Sequence, residues 1–121
     1  MSKITKVIAR QVFDSRGNPT IEAEVFANNM KARAISPSGA STGSHEAYEK
    51  RDKSNKRYLG KSVFKAVKLI NTIISKKLKN QNIHNQEKID YILIKLDGTK
   101  QKKKFGANAL LAVSMAVKKL S

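Results

Sequence analysis

The residues most able to do chemistry lie in one short run. Ser36-Pro-Ser-Gly-Ala-Ser-Thr-Gly-Ser44 carries small and hydroxylic side chains, with no apolar residue larger than alanine. Such a segment offers no buried anchor, so it reads as a surface loop. Gly39 and Gly43 are natural hinges and would let backbone amides approach a phosphate. Their spacing, however, is not that of a Walker-type loop, and no Lys-Ser or Lys-Thr pair follows Gly43. A mobile lid is better supported, because a small polar loop opens and closes at little cost in buried area. Hydroxyl and carbonyl oxygens are also donors that Mg²⁺ accepts, although the ion normally takes carboxylates or substrate phosphates as well. On composition alone, a plain loop remains the competing reading.

The other reactive side chains are scattered. His45 and His84 fall in different segments, and neither lies beside an obvious nucleophile or metal cluster. Glu22 and Glu24 share one strand face, and Glu46 and Glu49 sit three apart after the loop. No set brings together the three carboxylates of a tight divalent-metal site, so the residues alone do not support catalysis.

Charge suggests a rival function. The chain has 25 basic and 9 acidic residues, a formal charge of +16, and the run Lys100, Lys102, Lys103 and Lys104 stands ahead of the last apolar segment. A free-standing basic module for nucleic acid or another anionic partner would look like this. Against it, 20 of the 25 basic residues are lysine, alongside abundant asparagine and isoleucine, as a compositional bias towards A and T would impose. The seven aromatics form no stacking platform on a basic surface, so nucleic acid is the disfavoured partner. With no cysteine, there is neither a disulfide framework nor a thiolate metal site. The amino terminus shows no signal-peptide pattern, and no stretch approaches the roughly 20 apolar residues that span a bilayer. A soluble, cytoplasmic protein without membrane association is expected.

The elements that must position these groups follow from periodicity. At 121 residues the chain suits one domain. Lys3 to Val12 is β-rich and ends in the turn formers Asp14-Ser-Arg-Gly-Asn-Pro19. Thr20 to Ala27 alternates, with Ile21, Ala23, Val25 and Ala27 on one face and Glu22, Glu24 and Phe26 on the other. Asn28-Asn29 can close a two-residue hairpin into Met30 to Ile35. From Lys61 to Leu78 the apolar positions Val63, Val67, Ile70, Ile74 and Leu78 recur at helical spacing, with Phe64, Leu69 and Ile73 widening the stripe. A second helix is expected from Gln86 to Asp97, with Asn85 as N-cap and Gly98 as C-cap. A third, from Ala107 to Leu120, is apolar nearly all round at its start and should be the best buried. The fold class is therefore α+β, a three-stranded antiparallel meander followed by a three-helix bundle.

Six ordered motifs then match one family. They are Phe13-Asp-Ser-Arg-Gly-Asn-Pro-Thr20, Pro37-Ser-Gly-Ala-Ser-Thr-Gly43, Glu46-Ala with Arg51-Asp52, Tyr58-Leu-Gly-Lys61, Leu96-Asp-Gly-Thr99 and Lys104-Phe-Gly-Ala-Asn-Ala109. The chain resembles the amino-terminal capping domain of enolase, the glycolytic enzyme that dehydrates 2-phosphoglycerate to phosphoenolpyruvate, over essentially its whole length. The resemblance implies a domain at 1–121 that packs on a catalytic barrel, in cis or in trans. That barrel carries the lysine base, the glutamate acid and the carboxylates of the first Mg²⁺ site. It is expected to be absent from this chain, which would then hold no catalytic residue and show no activity alone. The resemblance further implies that Pro37, Ser38, Gly39, Ala40, Ser41, Thr42 and Gly43 form the substrate lid, mobile in the isolated domain. It implies that Ser41 ligates the second Mg²⁺ when barrel and substrate are present, and that Arg10 and Glu22 contact the partner subunit of a homodimer.

Overall fold

The computed structural model describes residues 2–36, 63–98 and 106–121. Three strands come first: β1 (Ile4–Phe13), β2 (Pro19–Ala27) and β3 (Met30–Ile35), antiparallel in the order β1-β2-β3. The turn into β2 is built by Asp14, whose Oδ1 accepts from the backbone N–H groups of Arg16 and Asn18 at 2.9 Å each. Gly17 supplies the positive φ of +78° that this tight reversal requires. The hairpin from β2 to β3 pairs Ala27 with Met30, so Asn28-Asn29 is a two-residue loop, with Asn28 at φ +56°.

The helical part begins with α1 (Phe64–Leu69), passes without a break through a π-helical stretch (Ile70–Ile74) and continues as α2 (Ser75–Leu78). Its fully buried residues are Ala66, Ile70, Ile74 and Leu78, at a strict spacing of four. In an α-helix four residues overshoot a full turn by about 40°, so such a row drifts off the core. The wider π turn takes up that overshoot and keeps the row on one face. The expected stripe is corrected accordingly: Phe64 and Ile73 point outward, each 42% exposed, and Ala66 is buried in their place.

The π turn also aims Asn71 at the sheet. Its side-chain Oδ1 accepts from Ala9 N at 2.7 Å and its Nδ2 donates to Ala9 O at 3.1 Å, so one amide imitates a neighbouring strand on the open edge of β1. The start of the same edge is covered by the chain after α2, where Ile4 N donates to Gln81 O and Asn80 N to Ile4 O, both at 2.8 Å. Capping an edge in this way removes a template for pairing with another chain.

Two helices follow with the expected bounds, α3 (Gln86–Asp97) and α4 (Ala107–Leu120). The Asn85 side chain caps α3 by accepting from Lys88 N, and Gly98 ends it in the left-handed conformation at φ +69°. Of these helices α4 buries most: Asn108, Ala109, Leu110, Ala112, Val113, Ala116 and Val117 are all inside. It lies across β2 and β3, and the core joins its apolar face to Val7, Ala9, Ile21, Ala23, Val25, Ala27 and Ala34 of the sheet.

Replacing Asn71 with alanine strands both backbone groups of Ala9. We expect a loss of about 1–3 kcal/mol in urea unfolding, the cost of leaving partly buried donors and acceptors unmet. Amide exchange at Ala9 should quicken while α4 stays protected. Unchanged exchange at Ala9 would show that the amide clip contributes nothing.

Candidate functional site

Of the side chains expected to have a role, Arg10 and Glu22 are the ones the described residues contain. They sit on the sheet face away from α4, where Arg10 of β1 stands directly opposite Glu22 of β2. Arg10 Nη1 donates to Glu22 Oε1 at 2.6 Å and Nη2 to Glu24 Oε1 at 2.9 Å, so the guanidinium bridges two carboxylates along one strand. Glu24, which the sequence placed beside Glu22 without a role, completes the cluster. The planar, doubly donating guanidinium suits this arrangement in a way a lysine ammonium would not.

Burial explains why these carboxylates need a partner. β2 is the central strand, and even its outward side is nearly covered, with Thr20 at 3% and Glu24 at 8% exposure. A carboxylate there must be hydrogen-bonded or it destabilises the fold. The bond from Arg10 is the main cause that holds the Glu24 carboxyl below its ordinary range; the nearby charges of Arg10, Lys31 and Arg33 add to it, and desolvation opposes it. The same bonds raise the Arg10 guanidinium above its usual value. Arg10 keeps 39% of its side chain accessible, although both terminal nitrogens of its fork are engaged by the two glutamates.

The residues expected to form a lid, Pro37, Ser38, Gly39, Ala40, Ser41, Thr42 and Gly43, lie outside the described residues, as do His45, Glu46, Glu49 and Lys100 to Lys104. The stems on either side of residues 37–62 are described. Ser36 is buried, its N–H donating to Ile21 O at 2.8 Å and its carbonyl accepting from Thr20 Oγ1 at 2.8 Å. Val63, also buried, donates its N–H to Gln11 Oε1 at 2.9 Å.

Elsewhere, a groove of about 380 Å³ runs between α3 and α4, lined by Asp90, Leu93, Ile94, Ala107, Leu110, Leu111 and Ser114. At one end Ser114 Oγ donates to Asp90 Oδ1 at 2.6 Å, and Gln86 Nε2 donates to the same carboxylate oxygen at 2.9 Å. Sequence reading missed this network because its members are polar residues on two separate helices. Gln86 Nε2 also donates to Ser114 Oγ at 3.1 Å, so each member of the trio is bonded to the other two and the trio reads as an interhelix tie. Among the described residues no three His, Cys, Asp or Glu converge as a metal would need, and no helix is long and apolar enough to cross a membrane.

A family model described as "Enolase, N-terminal domain" matches residues 4–121. The chain belongs to the enolase N-terminal domain family. An enolase from Pelagibacter ubique (strain HTCC1062) is 69% identical over all 121 residues, and the chain spans 29% of that relative's length. The meander and helices have the order expected of an enolase N-terminal domain, and the paired Arg10 and Glu22 belong to its sheet.

Acid should act on this enolase N-terminal domain through Glu24. Because its folded carboxyl titrates below the unfolded one, the stabilisation is present above the ordinary glutamate range and is lost as pH falls through the lowered folded value. Arg10→Ala should move the Glu24 carboxyl midpoint, followed by NMR, up towards its ordinary value and make acid unfolding begin at higher pH. A Glu24 midpoint that does not move would contradict the assigned cause.

Proposed function

We propose that this chain works as the N-terminal domain of an enolase, supplying the lid and one Mg²⁺ ligand for the dehydration of 2-phosphoglycerate to phosphoenolpyruvate in glycolysis. The observation that carries the reading is the 69% identity to an enolase over the whole chain, which includes the Pro37 to Gly43 motif. The reaction removes a proton from C2 and hydroxide from C3 of the substrate. The chain belongs to a lyase family, and in this reading the acid and base groups come from the barrel, while the N-terminal domain closes the site.

Each part of the domain has a task in this account. Pro37 to Gly43 folds over the bound phosphate and excludes water, which strengthens every polar contact inside. The hydroxyl and carbonyl oxygens of Ser41 are hard donors of the type that Mg²⁺ takes, which fits a ligand for the second ion. When bound, that ion supplies positive charge against the substrate's phosphate and developing negative charge. In this reading the carboxylate ligands come from the barrel. Arg10 and Glu22 meet the partner subunit's barrel in a homodimer; such charges set register and choice of partner more than affinity. A cytoplasmic location follows from the glycolytic role.

The test is a chimaera in which this chain replaces the matching 29% of the Pelagibacter ubique relative. Assayed with millimolar Mg²⁺, the chimaera should turn over 2-phosphoglycerate, the isolated chain should not, and Ser41→Ala should lower kcat/KM of the chimaera by about 10²-fold, as expected for loss of a contact that stabilises the charge developing on the substrate. An inactive chimaera, or turnover by the chain alone, overturns the reading.

A further inference from the structure

The two ends of the 37–62 connection are tied to one level of the sheet from opposite faces. Gln11 of β1 is paired with Ile21 of β2. On the helix-facing side, Gln11 Oε1 accepts from Val63 N at 2.9 Å, where the connection delivers the chain into α1. At the other end, Ile21 O accepts from Ser36 N, and the hydroxyl of the adjacent Thr20 donates to Ser36 O. Ser36, Thr20 and Val63 are at most 3% exposed, so these anchors are shielded from competing water.

We propose that Gln11 and Thr20 are positioning residues that hold both stems of the lid-bearing connection at a fixed place on the sheet. The inference rests on the reading of Pro37 to Gly43 as a substrate lid. Ser36 is the residue immediately before that lid, so the Thr20 hydroxyl sets where the lid begins. Gln11 sets where the connection must return. Shifts of an ångström in a positioning group are costly in rate even when the group is remote from the chemistry. Neither side chain touches substrate in this account; each acts through backbone it holds.

The experiment uses the chimaera of this chain with the Pelagibacter ubique relative. Thr20→Val keeps the shape and removes the donor, and Gln11→Met keeps the length and removes the acceptor. Each should lower kcat/KM by about five- to tenfold, mainly through KM because a lid held off its place closes less favourably over substrate, a loss smaller than the roughly 10²-fold that an ångström of misplacement can bring. Thr20→Ser and Gln11→Glu, which retain the donor and the acceptor, should stay within about twofold of the parent, the range of a benign change. Amide exchange should quicken at Ser36 in Thr20→Val and at Val63 in Gln11→Met, with α4 still protected as a control for folding. An inactive parent chimaera would strike down the lid reading itself. An active parent whose Val and Met variants keep the parental KM, or whose conservative variants fail equally, would overturn the positioning role alone.

Discussion

The close seating of α4 on the sheet depends on the small side chains at their contact. Ala9, Ala23, Ala27 and Ala34 face the helical layer, while α4 buries Ala109, Ala112 and Ala116 together with Leu110, Val113 and Val117. Helix and strands can approach closely only where both carry methyl groups, and interiors packed to that density resist added volume. With α4 fixed across β2 and β3, α3 is held in turn by the hydrogen bonds joining Asp90 and Gln86 to Ser114. The continuous helix from Phe64 to Leu78 then closes the open side of the sheet along β1.

This packing has a consequence for the opposite face of the sheet. Pinned between two strands, β2 has little exposed surface, so its outward glutamates cannot be left to water. Arg10 answers both carboxylates with one guanidinium, and Lys31 and Arg33 on β3 surround Glu24 with further positive charge. Fold and charge pattern are therefore coupled: the ion cluster is needed because the strand is central. The residues flanking the 37–62 connection obey the same logic, since Ser36 and Val63 are buried and find their partners in Ile21, Thr20 and Gln11.

Much of the fold was legible in the sequence because local signals agreed with the tertiary outcome. The alternation from Thr20 to Ala27, the Asn28-Asn29 pair, the Asn85 cap and Gly98 each correspond to observed elements. What escaped was set by contacts between segments. The four-residue spacing of Ala66, Ile70, Ile74 and Leu78 was present, but a window tuned to an α-helical period admits Phe64 and Ile73 as readily as Ala66. Nothing local showed that Asn71 would clip Ala9 or that Ser114 would meet Asp90, as these pairings cross tens of residues. For the site, position on the strands put Glu24 beside Glu22, yet only the burial of β2 explains why Arg10 serves both.

The central claim is that this fold is built to be completed by a barrel. Sedimentation of the chain with the separately produced remainder of the Pelagibacter ubique relative, beyond the 29% that the chain covers, tests it most directly. The account predicts that the two pieces sediment together in equal proportion, and that Mg²⁺-dependent formation of phosphoenolpyruvate appears only in that fraction. Two folded pieces that sediment separately at concentrations of tens of micromolar, well above the dissociation constants typical of specific interfaces, would contradict it.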